Sequence, residues 1–147
     1  MSTPSDIVKE YKGHIVIVDD DNLAMTPYRH ALTRRNYNVE QFRDVDSAWT
    51  FLSDRRPDVL ILDIMMVGGS LYSEELTEDG LLTGRLLFQD VRKKWPKLPV
   101  VILTNNVDPR ALDDSDPSQL LCTRQKLGFP PFELVALIDK LCLPPEE

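Results

Sequence analysis

Three consecutive acids, Asp19, Asp20 and Asp21, close the first apolar run of the chain, and Asp63 closes another, Asp58-Val59-Leu60-Ile61-Leu62-Asp63. Two further runs lead towards Thr104 and Lys126. Carboxylates crowded together repel one another and need a cation. A hydroxyl and an ammonium beside them suit an anion with several oxygens. If the four runs end at one rim, these residue types point to magnesium-dependent phosphoryl chemistry on an aspartate.

Each residue then has a role. Asp19 and Asp20 would hold Mg²⁺, a hard cation that takes oxygen ligands and keeps several waters. One Asp63 oxygen and the backbone carbonyl of Met65 would complete the protein ligands. The second Asp63 oxygen would attack phosphorus and form an acyl phosphate. Lys126 would neutralise charge, and the Thr104 hydroxyl would bond a phosphoryl oxygen. Mutual repulsion predicts at least one raised carboxylate pKa in the metal-free site. Taken singly, each residue has a structural reading, since Asp21, Asn22 and Asp63 suit caps or turns and Lys126 a solvated surface. The conjunction after four separate runs is what carries the argument.

The elements that must bring these residues together are legible. Ile15-Val16-Ile17-Val18 is short, continuous and β-branched, as a strand buried on both faces should be. Residues 37–42, 59–62 and 100–103 suit three more strands, and 120–123 a weaker fifth. Between them lie helical spacings: Tyr28, Ala31, Leu32 and Arg35; Ala48, Phe51 and Leu52; Leu82, Leu86, Leu87, Val91 and Trp95; and Leu134, Val135, Leu137, Ile138 and Leu141. Strands alternating with helices imply a doubly wound α/β fold with a parallel sheet, whose ligands bind beyond the carboxyl ends of the strands. Pro27 predicts a first helix starting there, with Thr26 as its N-cap. Residues 107–117, with two prolines and few apolar side chains, predict a short or frayed helix. Residues 68–79 form a long acidic connection opened by Gly68-Gly69, of a length that usually carries function or disorder.

Bulk properties narrow the class. A chain of 147 residues with 42% hydrophobic and 28% charged residues suits one globular domain. A net charge of −7 disfavours nucleic acid and anionic lipid as main partners. Cys122 and Cys142 form no CxxC pair and read as reduced thiols, and the polar N-terminus holds no signal-peptide core. A cytoplasmic setting without membrane association is expected.

With these residues in place, the chain resembles a response-regulator receiver domain of two-component signalling, over almost its whole length. The resemblance rests on Asp19-Asp20 in His14-Ile-Val-Ile-Val-Asp-Asp-Asp21, Asp63 in Val59-Leu-Ile-Leu-Asp-Ile-Met-Met66, Thr104 in Val100-Val-Ile-Leu-Thr104, and Lys126. Asp79-Gly80 is similar to the Asp-Gly that opens a helix in this family. The resemblance implies a flavodoxin-like (CheY-like) five-stranded parallel sheet in the order 2-1-3-4-5, with the receiver over 13–143, an N-terminal extension over 1–12 and a tail or linker over 144–147. It implies Mg²⁺ as cofactor and Asp63 as phosphoacceptor, with Thr104 and Lys126 assisting. A histidine kinase or histidine phosphotransfer protein would be the donor and a downstream protein the target, with a homodimer possible. Turnover of a separate substrate is not expected.

Departures from the family pattern bear on output. Val67 stands where proline is common, Asn105 where a small residue is typical, Leu127 in place of the proline after the lysine, and Thr123 in place of an aromatic residue. Asn105 would narrow the phosphoryl pocket or bond to its occupant. Leu127 puts the cis peptide of the family in doubt. Thr123 has no ring to bury, so the output face looks altered. The acidic 68–79 segment is a candidate for partner recognition or gating, against the alternative of a tolerated insertion. An interaction module independent of phosphate is the competing function. A hydrolase with an aspartyl-phosphate intermediate would need an acid at Met65, and a flavin module would need a Ser/Thr/Gly-rich loop after the first strand; neither is present.

Overall fold

The computed structural model describes residues 10–106, 108, 110 and 120–142. Its elements run β1 (Gly13–Val18), α1 (Asn22–Arg34), β2 (Tyr37–Phe42), α2 (Val45–Leu52), β3 (Val59–Leu62), α3 (Glu74–Thr77), α4 (Thr83–Lys94), β4 (Val100–Thr104), β5 (Leu121–Gln125) and α5 (Pro131–Cys142). The strands form one five-stranded sheet in the order β2-β1-β3-β4-β5, with every pair parallel. The expected doubly wound CheY-like fold is therefore present. The helix expected over 107–117 falls outside the described residues, apart from Asp108 and Arg110.

Alternation along each strand divides the core between two faces. Val16, Val18, Leu60, Leu62, Val100 and Ile102 pack beneath α2 and α4, against Val45, Ala48, Leu52, Leu87 and Val91. Ile15, Ile17, Val59, Ile61, Val101 and Leu103 pack beneath α1 and α5, against Met25, Tyr28, Leu32, Leu134 and Ile138. Both faces of β1, β3 and β4 are covered, which explains their near-continuous apolar sequences. The strands end together at one rim.

Two local expectations need correction. Helix α1 does not start at Pro27; it starts at Asn22, directly after the acidic triplet, with Asp21 as N-cap accepting from the Ala24 N–H at 2.9 Å. Pro27 lies inside the helix, where its missing N–H costs the bond to the Leu23 carbonyl. The neighbouring Asn22 carbonyl is well served, accepting from the Thr26 hydroxyl at 3.1 Å and the Arg29 guanidinium at 3.0 Å. Thr26 thus bonds backwards within the helix rather than capping it. Burial of Met25, Tyr28 and Leu32 on one face holds the helix to the sheet.

The 68–79 connection is built rather than open. The Asp46 carboxylate, in the first turn of α2, accepts from the Ser70 N–H, the Ser70 hydroxyl and the Leu71 N–H. Ser73 then caps the short α3 through the Leu76 N–H, and the buried Thr77 hydroxyl accepts from Gly80 at 3.0 Å. Tyr72 donates to Asp90 on α4 at 2.5 Å. The Asp79-Gly80 pair lies in the turn ahead of α4, not at its first residue.

Candidate functional site

Each site residue sits just past a strand end, or at one. Asp19 and Asp20 follow β1, Asp63 follows β3, Thr104 ends β4 and Lys126 follows β5. The ladder itself fixes two of them. The Asp19 N–H donates to Phe42 O at 3.0 Å and the Asp63 N–H to Val18 O at 2.9 Å. Carboxylate oxygens of Asp19, Asp20 and Asp63 all lie within 4.8 Å of one another. Asp19 and Asp63 are buried and Asp20 is exposed. An all-oxygen, anionic donor set open to solvent on one side fits a hard divalent cation that keeps some of its waters.

Lys126 reaches into this cluster. Its ammonium is 2.8 Å from Asp19 Oδ2 and 3.6 Å from Asp63 Oδ2. The second oxygen of each buried acid is held by backbone: Asp19 Oδ1 by the Asp21 N–H at 2.9 Å and Asp63 Oδ1 by the Ile64 N–H at 2.7 Å. Burial raises the Asp19 carboxyl above its usual range and outweighs the Lys126 hydrogen bond, with the Asp63 charge adding to the rise. Asp20 is raised too, again through burial first and the Asp63 charge second. Repulsion, the cause foreseen from the sequence, is thus the lesser one. Burial lowers the Lys126 ammonium, but its bond to Asp19 and the charges of Asp63, Asp19 and Asp21 reverse that, leaving it raised.

Thr104 is fully buried, and its hydroxyl accepts from the Asn106 N–H at 3.1 Å. Met65, two residues after Asp63, carries a half-exposed side chain. The site therefore combines an acidic rim suited to a hard cation with a buried carboxylate and a fixed ammonium beside it. Over residues 15–114 the sequence matches the profile of the response regulator receiver domain. The chain belongs to that family.

Related proteins agree with this assignment. The receiver is 28% identical over 97 residues to the DNA-binding transcriptional regulator NtrC of Proteus hauseri, covering 66% of this chain and 18% of that protein. It is 30% identical over 90 residues to the response regulator MprA of Mycobacterium bovis, covering 61% of this chain and 34% of that one. The matched region thus spans about a third or less of these relatives. Among solved structures, a CheY-like receiver from Methanospirillum hungatei superposes with a TM-score of 0.71 at 17% identity, covering 88% of this chain and 92% of the other, which shows the fold alone. The BeF₃-activated receiver domain of nitrogen regulatory protein C gives 0.68 at 25% identity, covering 90% and 95%. Among the described residues, no helix of the receiver is long and apolar enough to cross a membrane.

Two supporting residues, Gly84 and Asn106, carried no sequence signal. Gly84, in the first turn of α4, donates to Ile64 O at 2.9 Å, and a Cβ there would lie 2.1 Å from Asp63 O. Only glycine lets α4 sit directly on the backbone of the acid. Asn106 is buried and donates to Leu81 O at 2.9 Å, tying the loop after β4 to the segment before α4. Asn105 Oδ1 accepts from the Leu127 N–H at 2.9 Å, so its oxygen is used across the rim. Among the described residues every peptide is trans. Thr123 has a buried hydroxyl with no hydrogen-bond partner and no ring that could move.

Proposed function

We propose that this receiver accepts a phosphoryl group on Asp63 from a phosphohistidine donor and thereby changes its protein-binding surface. The observation that carries the reading is the convergence of Asp19, Asp20, Asp63 and Lys126, from three separate strand ends, on one small volume. Asp63 Oδ1 is held by the Ile64 N–H, leaving Oδ2 to attack phosphorus. A P–O bond forms as the P–N bond of the donor breaks, and the imidazole leaves with the electron pair. Asp19, Asp20, Asp63 and the Met65 carbonyl would hold Mg²⁺, which would supply charge neutralisation. Lys126 supplies a further fixed positive charge at no cost of reorganisation. Thr104 would release the Asn106 N–H and donate its hydroxyl to a phosphoryl oxygen.

The donor would be a histidine kinase or a histidine phosphotransfer protein, and the readout a downstream protein rather than nucleic acid contacted by this domain. Turnover is confined to the chain's own aspartate. The 68–79 segment, held by Asp46 and crossing to the loop after β4 through the Arg110–Glu78 ion pair at 2.6 Å, would carry part of partner recognition or gate the site. Deleting it should alter partner binding or phosphoryl transfer while the fold persists.

Intact mass after incubation with acetyl phosphate, with and without Mg²⁺, tests the central reading. A single Mg²⁺-dependent phosphoryl adduct, absent in Asp63→Asn, is expected. No adduct together with no binding of beryllofluoride would favour an interaction module that works without phosphate.

A further inference from the structure

Between the end of β5 and Phe129 the chain has almost no side-chain anchor. Leu127 is 86% exposed and Gly128 has no side chain, yet Lys126 must be held accurately enough to bridge Asp19 and Asp63. Backbone contacts do the holding. The Lys126 N–H donates to Thr104 O at 2.8 Å, and the Phe129 N–H to Lys126 O at 3.2 Å, closing a four-residue turn. Gly128 at φ 80° suits the third position of a type II turn. Such a turn uses the N–H of its last residue and leaves that of its second residue, Leu127, free. Asn105 Oδ1 takes that N–H at 2.9 Å. From the other side, the Tyr28 hydroxyl donates to Phe129 O at 2.6 Å.

We infer that Asn105 is a positioning residue for Lys126: its side chain latches the Leu127 N–H and so holds the turn that aims the ammonium at Asp19 and Asp63. The two residues form a matched pair. A small side chain at 105 would offer no acceptor, and a proline at 127 would offer no donor. The latch also joins the loop after β4 to the loop after β5, on either side of the buried Thr104. This inference rests on the phosphoryl reading for its consequence, but the latch itself is present in the unphosphorylated chain and can be measured without phosphate.

Two variants and their combination test it on the whole chain. Proline with a trans peptide is compatible with the second position of a type II turn, so Leu127→Pro, with the peptide bond after Lys126 checked to be trans by NMR, removes the donor and keeps the turn. Asn105→Ala is expected to slow phosphorylation by acetyl phosphate, and to weaken beryllofluoride binding, by about two- to tenfold, the range for one hydrogen bond open to solvent. In the Leu127→Pro background the same substitution should change neither. Amide exchange supplies a readout free of phosphate: the Leu127 N–H should lose protection in Asn105→Ala and keep it in Asn105→Asp, which retains the acceptor oxygen. Unchanged Leu127 exchange in Asn105→Ala, or an equal loss of rate in both backgrounds, overturns the proposal. A wild-type chain that takes neither phosphate nor beryllofluoride would sink the phosphoryl reading, and Leu127 exchange would still decide the latch.

Discussion

Replacing Lys126 with methionine removes an ammonium bonded to the acidic cluster while keeping a side chain of similar length. In the folded protein the Lys126 side chain is 11% exposed and the Asp19 side chain 1%. Truncating one partner of a buried pair costs about 3–5 kcal/mol, mainly because the other charge is left alone. Three features of this site reduce that figure. Lys126 itself suffers from burial, Asp19 keeps its Asp21 N–H bond, and its raised pKa lets it take up a proton. A smaller loss, about 2–3 kcal/mol at neutral pH without metal, is expected, similar to one hydrogen bond to a charged group. With a urea m-value of about 1–3 kcal/mol/M for a small domain, the midpoint should fall by about 0.7–3 M, followed through Trp49 and Trp95.

The pH dependence follows from the same groups. Asp19 and Asp20 bind protons more tightly folded than unfolded, so their destabilising effect grows as pH rises from the unfolded value of 3.8 through the raised folded values. Without Lys126 the Asp19 value climbs further, and the variant should recover more stability than the wild type on mild acidification. A variant as stable as wild type at pH 7, or one whose deficit does not shrink at lower pH, would refute this account of the cluster.

Three other outcomes follow from the geometry. Magnesium at a hundred times its dissociation constant should stabilise the wild-type chain by about 2.7 kcal/mol; Asp63→Asn should need more metal for the same rise in melting temperature, and apparent affinity should weaken as Asp19 and Asp20 protonate. Gly84→Ala forces a Cβ to 2.1 Å from Asp63 O, so α4 or the acid must move, costing about 1–3 kcal/mol or more and slowing phosphorylation, as chemical denaturation and adduct kinetics would report. Asp46→Ala should speed exchange at the Ser70 and Leu71 amides without changing the core. Bonds from the Ser70 N–H, with burial opposing, lower the Asp46 carboxyl, so in the wild type the same amides should keep protection above about pH 4 and lose it as pH falls through the lowered value.

The sheet and the principal site residues were legible in the linear chain because their signals are local. Continuous β-branched runs mark strands covered on both faces, and an acid, hydroxyl or lysine at the end of such a run lands at the rim whatever the details of packing. Where local rules compete, the sequence misled. Pro27 suggested a later helix start, but the Asp21 cap and burial of Met25 and Tyr28 kept the first turn helical. The sequence left the 68–79 segment between function and disorder because the groups that order it, Asp46 and Asp90, lie in other helices.

From its sequence alone the chain declares a doubly wound parallel sheet, a receiver's set of acids, hydroxyl and lysine, and the end of the sheet where they gather. Tertiary structure decided the rest: that burial, more than repulsion, raises Asp19; that Gly84 is needed where α4 meets the Asp63 backbone; and that two departures, Asn105 and Leu127, are partners in one hydrogen bond. Those facts depend on distances between residues far apart in the chain. No periodicity or composition encodes such distances, because they exist only once both faces of the sheet are packed.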